Sequence, residues 1–160
     1  MDTMRALQGL RQVEADLEDL YSWFAEIFAA DRDAAELFSR LSREERSHKV
    51  LVDHQINLAE NHAGTEIDVE VDGEALRQLL ADIRRLREQE PHPSLSEAVS
   101  SAVMMEFVAD EAYLGRVVRT SSKSIEQMID RLVDAGQQHH GRLKDFAKAR
   151  GMLIVVNGAS

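Results

Sequence analysis

Cysteine is absent from the 160-residue chain, which excludes disulfides, thiolate-bound zinc, a cysteine-ligated iron centre and a thiol nucleophile. Any metal must be held by oxygen and nitrogen. Proline occurs twice and glycine eight times, so long stretches are free of helix breakers and helix is expected to dominate. No stretch approaches the roughly 20 apolar residues needed to cross a bilayer, and residues 1–10 lack the apolar centre of a signal peptide, so the cytoplasm is the expected location. Basic charge is scarce. Lys and Arg number 19 against 29 Asp and Glu, a formal net charge of -10, and the basic residues are spread over several segments. Nucleic acid and anionic membranes are therefore not expected partners. With 44% hydrophobic and 30% charged residues, the length suits one soluble domain over residues 1–160.

Four long segments carry apolar residues three and four apart, the period of an amphipathic helix. The first, about 3–29, shows Leu7, Leu10, Glu14, Leu17, Tyr21, Phe24 and Phe28 on one stripe. The second, about 33–62, opens on an Asp33 to Glu36 capping pattern and shows Phe38, Leu41, Glu45, His48 and Val52. The turn at 30–32 is short, so these two helices should be antiparallel neighbours. In 64–93, Ile67, Val69 and Val71 alternate with acidic residues, which favours an extended piece; 74–87 then reads as a short helix, followed by Pro91 and Pro93. Such a segment suits a long crossover, leaving the next helix parallel to the second. The third long helix, about 94–118, opens with a Ser94 to Glu97 capping box and runs along Leu95, Val99, Ala102, Glu106, Ala109, Tyr113 and Val117. The fourth, about 122–150, carries Ile125, Ile129, Leu132, Gly136, His139, Leu143 and Phe146. The apolar tail 152–156 is expected to pack on the helices or on another subunit.

The stripes contain acids and imidazoles where apolar side chains belong, and the spacing nearly repeats. Glu14 precedes His48 by 34 residues and Glu106 precedes His139 by 33; a tyrosine follows each of the two glutamates after seven positions, Tyr21 and Tyr113. Glu45 and His48, three apart, share one helix face and can grip one ion together. Burying several carboxylates without a counter-charge is strongly unfavourable, since desolvation and mutual repulsion both oppose ionisation. The stripes hold no Arg or Lys. A divalent iron, manganese or zinc ion among Glu14, Glu45, His48, Glu106 and His139 is the economical cation.

These residues resemble the ferritin-like superfamily, most closely its rubrerythrin branch, whose signature is a Glu from each of two helices and a Glu-x-x-His pair from each of the other two. Glu14 and Glu106 match the single glutamates, Glu45 with His48 the first pair, and the segment 37–48 and the Glu-to-Tyr spacing look like that branch. The resemblance implies an all-α, ferritin-like four-helix bundle with a crossover between its second and third helices, a homodimer or larger assembly, and two irons that react with dioxygen or hydrogen peroxide. It also implies that the hydroxyls of Tyr21 and Tyr113 hydrogen-bond the ligands. Electrons would come from a separate donor, because the cysteine-ligated module of rubrerythrins is missing.

The chain departs from the pattern in two places. Three residues before His139 stands Gly136, so the second bridging glutamate is missing and a single-metal site is the alternative to two irons; a shift of one residue offers Gln137 and His140 instead. Rubrerythrins also carry a glutamate one turn after the ligand of the third helix, where this chain has Ala109, with Asp110 one position further round. The competing account is a ferritin-like scaffold that has lost its metals and serves as a structural or interaction module. Tyr21 and Tyr113 then act as core aromatics, Met104 and Met105 fill gaps, and Glu44, Glu111, His54, His62 and His92 belong to solvated faces.

Overall fold

A computed structural model describes residues 3–61, 69–111, 118–120 and 122–154. The fold is all-α: α1 (Thr3–Ile27), α2 (Arg32–Asn61), α3 (Gly73–Gln89), α4 (Leu95–Glu111) and α5 (Lys123–Ala149), with β1 (Val69–Val71) and β2 (Val118–Thr120) as two short strands. No helix among the described residues is long and apolar enough to cross a membrane.

Helix starts follow local capping chemistry. Asp72 accepts hydrogen bonds from the backbone N–H groups of Glu74 and Ala75 at the head of α3. Ser94 and Glu97 form the expected box, with Ser94 Oγ accepting from Glu97 N at 3.2 Å and Glu97 Oε2 accepting from Ser94 N at 2.7 Å. At α2 the cap is Asp31, not Asp33: its Oδ1 accepts from Ala34 N at 3.2 Å. Asp33 instead joins Asp31 in holding Arg150, which ties the end of α5 to the start of α2. The stop of α5 needs Gly151, whose φ of 64° lets Met152 N reach Ala147 O at 2.9 Å. Beyond it Met152 and Ile154 pack on the core while Leu153 stays exposed; Val155 and Val156 lie outside the described residues.

Contact registers fix the helix directions. Arg11 meets Asp53 and Glu18 meets Lys49 and Arg46 across α1 and α2, so these run antiparallel. Asp16 meets Arg84, and Arg87 lies over the Trp23 ring, so α3 runs alongside α1 in the same direction, burying Leu76, Leu79 and Ile83. α5 opposes both α2, through Glu44 with Arg142 and Asp31 with Arg150, and α4, through Glu106 with His139 and Asp110 with Gly136. α4 is therefore parallel to α2. In the chain α3 lies between them.

The expected third long helix is shorter than its periodicity suggested. α4 ends at Glu111, and Val118–Thr120 pairs antiparallel with Val69–Val71, Val69 opposite Thr120 and Val71 opposite Val118. β-branched residues at four of these six places fit a strand better than a helix end. Tyr113 and Val117 lie outside the described residues.

One end of the core is aromatic. Phe38, fully buried, meets Tyr21, Phe24 and Phe28 with ring centroids 6.4, 5.1 and 6.0 Å away. Phe38→Ala is expected to lower the unfolding free energy by about 3–5 kcal/mol, read by urea denaturation. A cost near zero would mean that this cluster does not hold α1 to α2.

Candidate metal centre

Four helices place acids and imidazoles on their inward stripes. Glu14 of α1 sits one turn from both Leu10 and Leu17, Glu45 of α2 one turn from Leu41, Glu106 of α4 one turn from Ala102, and His139 of α5 one turn from Leu143; all of these apolar neighbours are buried. The polar side chains are as buried as the apolar ones, Glu14, Glu45 and Glu106 being 2% exposed and His139 1%. They converge as two groups, Glu14 with Glu45 and His48, and Glu45 with Glu106 and His139, each with its ligand atoms within 4.8 Å of one another. Glu45 belongs to both.

The contacts divide the two carboxylate oxygens of Glu45 between the two imidazoles. His48 Nδ1 lies 2.8 Å from Glu45 Oε2 and 3.4 Å from Glu14 Oε2. His139 Nδ1 lies 2.9 Å from Glu45 Oε1 and 3.3 Å from Glu106 Oε1. The His139–Glu45 approach is close but not aligned, so Glu45 Oε1 is fully buried without a hydrogen bond. The two rings stack, centroids 5.4 Å apart. Tyr21 donates its hydroxyl to Glu106 Oε1. A cavity with a free core of about 10 Å³ lies among these groups, room for about one water-sized particle.

Burial and crowding shift the proton affinities. Burial, with the neighbouring Glu45 charge, pushes Glu14 up to about 7 despite the opposing His48. Burial works against protonating His48, but the carboxylates of Glu14 and Glu45 outweigh it and raise His48 to about 9. His139 rises to about 11, burial being overcome by Glu106 and Glu45. Asp110, 8% exposed, is lifted to about 6 by burial and by Glu106. Burial and the Glu106 charge raise the Tyr21 hydroxyl well above its ordinary value, keeping it a proton donor. Four cations of α2 and α5 are engaged further out: Arg46 and Lys49 on Glu18, Arg40 and Arg142 on Glu44.

Of the positions flagged in the sequence, Glu14, Glu45, His48, Glu106 and His139 meet at the centre, with Tyr21 bonded to one of them. Gln137 is exposed, and His140 is half-buried and belongs to neither group. Two residues acquire a role that their spacing did not suggest. Glu44, read as a solvated residue, places Oε2 at 2.9 Å from His139 Nε2 while Arg40 and Arg142 hold its carboxylate. A carboxylate on the outer nitrogen of an imidazole fixes the ring so that the inner nitrogen faces the centre. The second residue is Asp110, which lines the cavity.

The donor set suits a divalent transition ion: carboxylate and imidazole, no thiolate, and a buried carboxylate oxygen that the protein itself leaves unbonded. Glu44→Gln is expected to weaken metal binding at the Glu45, Glu106 and His139 group by about 10–100-fold, measured by calorimetric titration with Mn(II). The Glu14, Glu45 and His48 group should be unchanged; equal weakening of both would assign Glu44 a general structural role. Comparison with known proteins returns no match for this chain among family models, curated proteins or solved structures.

Proposed function

We propose that this chain is a metal-binding protein of the ferritin-like, rubrerythrin type, in which α1, α2, α4 and α5 form a four-helix bundle around two neighbouring divalent ions. Glu14 and His48 would hold one ion, Glu106 and His139 the other, and Glu45 would be shared. Iron suits the set best, with manganese or zinc as alternatives. Bound iron would supply redox chemistry toward dioxygen or hydrogen peroxide, making the protein an iron-dependent oxidase or peroxidase, or an iron-binding protein. Tyr21 would keep a hydrogen bond on Glu106, and Glu44 would hold the His139 ring. Electrons would come from a separate donor, and the active form would be a homodimer or larger.

The observation that carries this reading is the position of Glu45, common to both groups and with Oε1 buried and unbonded. Such an atom costs about 1–3 kcal/mol unless something occupies it. A second reading also has support. Two imidazoles raised to about 9 and about 11 can themselves supply the counter-charge, as they would in a metal-free structural or interaction module.

Elemental analysis of protein purified without chelators, followed by anaerobic ferrous titration, separates the two. Close to two irons per chain, with an optical change on exposure to oxygen or peroxide, is the expected result. Uptake below about a tenth of an equivalent of any transition metal after reconstitution would leave only the metal-free module.

A further inference from the structure

Gly136 stands one turn before His139 on the inward face of α5, and glycine in a helix interior costs about 1 kcal/mol relative to alanine. The space that its missing side chain leaves is not filled by backbone or by an apolar group. A Cβ built on Gly136 would lie 2.1 Å from Asp110 Oδ1 and 3.0 Å from Asp110 Cγ. The Asp110 carboxylate occupies the volume that a side chain at 136 would take. Asp110 follows Glu106 by four residues, which puts both on one face of α4. It is 8% exposed, lines the central cavity and feels the charges of Glu106, Glu45 and His139. Across the same cavity Glu45 Oε1 is buried and unbonded. Two carboxylates from different helices thus face one small space, with the His139 imidazole 2.9 Å from Glu45 Oε1 as the nearest cation.

We propose that Asp110 is a metal ligand that replaces, from α4, the carboxylate that α5 lacks at Gly136, so that Glu45, Glu106, Asp110 and His139 together hold the second ion. The inference rests on the two-ion reading and adds to it a ligand and a reason for the glycine. An ion bound there has three carboxylates and one imidazole, while the first has Glu14, Glu45 and His48. The centre is complete with its ligands differently distributed, and Gly136 is required to be small.

The test is titration of the full chain with Co(II), followed by calorimetry and by visible absorption of the bound ion. Wild type is expected to take two equivalents. In Asp110→Asn the second equivalent should weaken by at least about tenfold while the first keeps its affinity. Gly136→Ala should lose the same equivalent although every ligand is present, because the new methyl displaces the Asp110 carboxylate. The double variant Asp110→Ala with Gly136→Glu, which returns the carboxylate to α5, should regain the second equivalent. Helix content by circular dichroism, unchanged in Asp110→Asn, separates loss of a ligand from loss of fold. If wild type takes two equivalents and Asp110→Asn takes both at wild-type affinity, the assignment of Asp110 is overturned and the two-ion reading stands. If wild type takes fewer than two, both are overturned.

Discussion

Glu45→Ala is expected to abolish metal binding at both positions at once, whereas Glu14→Ala and Glu106→Ala should each remove only one. The difference follows from geometry. Glu45 sends Oε2 toward His48 and Oε1 toward His139, and is the only residue common to the two groups among the described residues. Glu14 and Glu106 each serve a single group. Losing the shared carboxylate takes one donor oxygen from each ion and the single negative charge that both share, and an affinity loss above about a hundredfold per position corresponds to roughly 2.7 kcal/mol. Calorimetric titration with Mn(II) gives stoichiometry and affinity for all three variants. Retention of one tight equivalent by Glu45→Ala would show that the positions do not share this residue. Because Glu45 is fully buried among charged neighbours, the metal-free melting temperature of each variant serves as the check on folding.

Most of the site could be read from the sequence because it lies on regular helices, where three- and four-residue spacing reports direction directly. Glu14 between Leu10 and Leu17 has one sensible orientation, whereas the stripe from Ile129 to Leu143 favours His139 over His140 and the packing of α5 decides between them. What escaped depends on the neighbouring helix. By the family's spacing the position belongs to Ala109, with Asp110 one place further round, yet Asp110 lies only about 40° round the axis from Glu106 and Ala109 about 60° the other way. Which one admits a polar side chain is decided by the room at Gly136, 26 residues further on and visible only once α4 and α5 are side by side. With Asp110 already in that space, the glutamate missing at 136 can be restored only together with removal of Asp110. Glu44 was hidden for a similar reason, since its spacing from Arg40 reads as a surface pair and only the arrival of His139 and Arg142 from α5 gives it work. The shortening of α4 has a local cause instead. A pair of three-residue strands is too brief for alternation to compete with a helical period.

Metal-free and metal-loaded protein should respond to pH in opposite directions. In the metal-free chain His48 and His139 have folded-state values near 9 and 11, above the ordinary 6.5, so their contribution to stability is complete below about pH 6.5 and is lost as pH rises through those values. Glu14 and Asp110, raised to about 7 and about 6 from 4.5 and 3.8, act in the same sense: the folded state binds protons that the unfolded chain releases. Glu18 and Glu44 act oppositely. Burial is outweighed by Lys49 and Arg46 at Glu18, and by Arg40 and Arg142 at Glu44, so both are held below 4.5, and the stability they give is lost as pH falls through that region. The metal-free optimum therefore lies near pH 4–5, with the melting temperature falling on the order of 5–10 °C between pH 6 and 8.5. A divalent ion must displace these same protons, so its affinity increases with pH, and at saturating Co(II) the melting temperature should rise over the interval in which the metal-free curve falls. Thermal scans with and without the ion, at matched ionic strength, give both curves. A metal-free melting temperature that climbs from pH 6 to 8.5 would mean that the imidazoles are not held among the carboxylates, and would remove the electrostatic basis for placing any cation there.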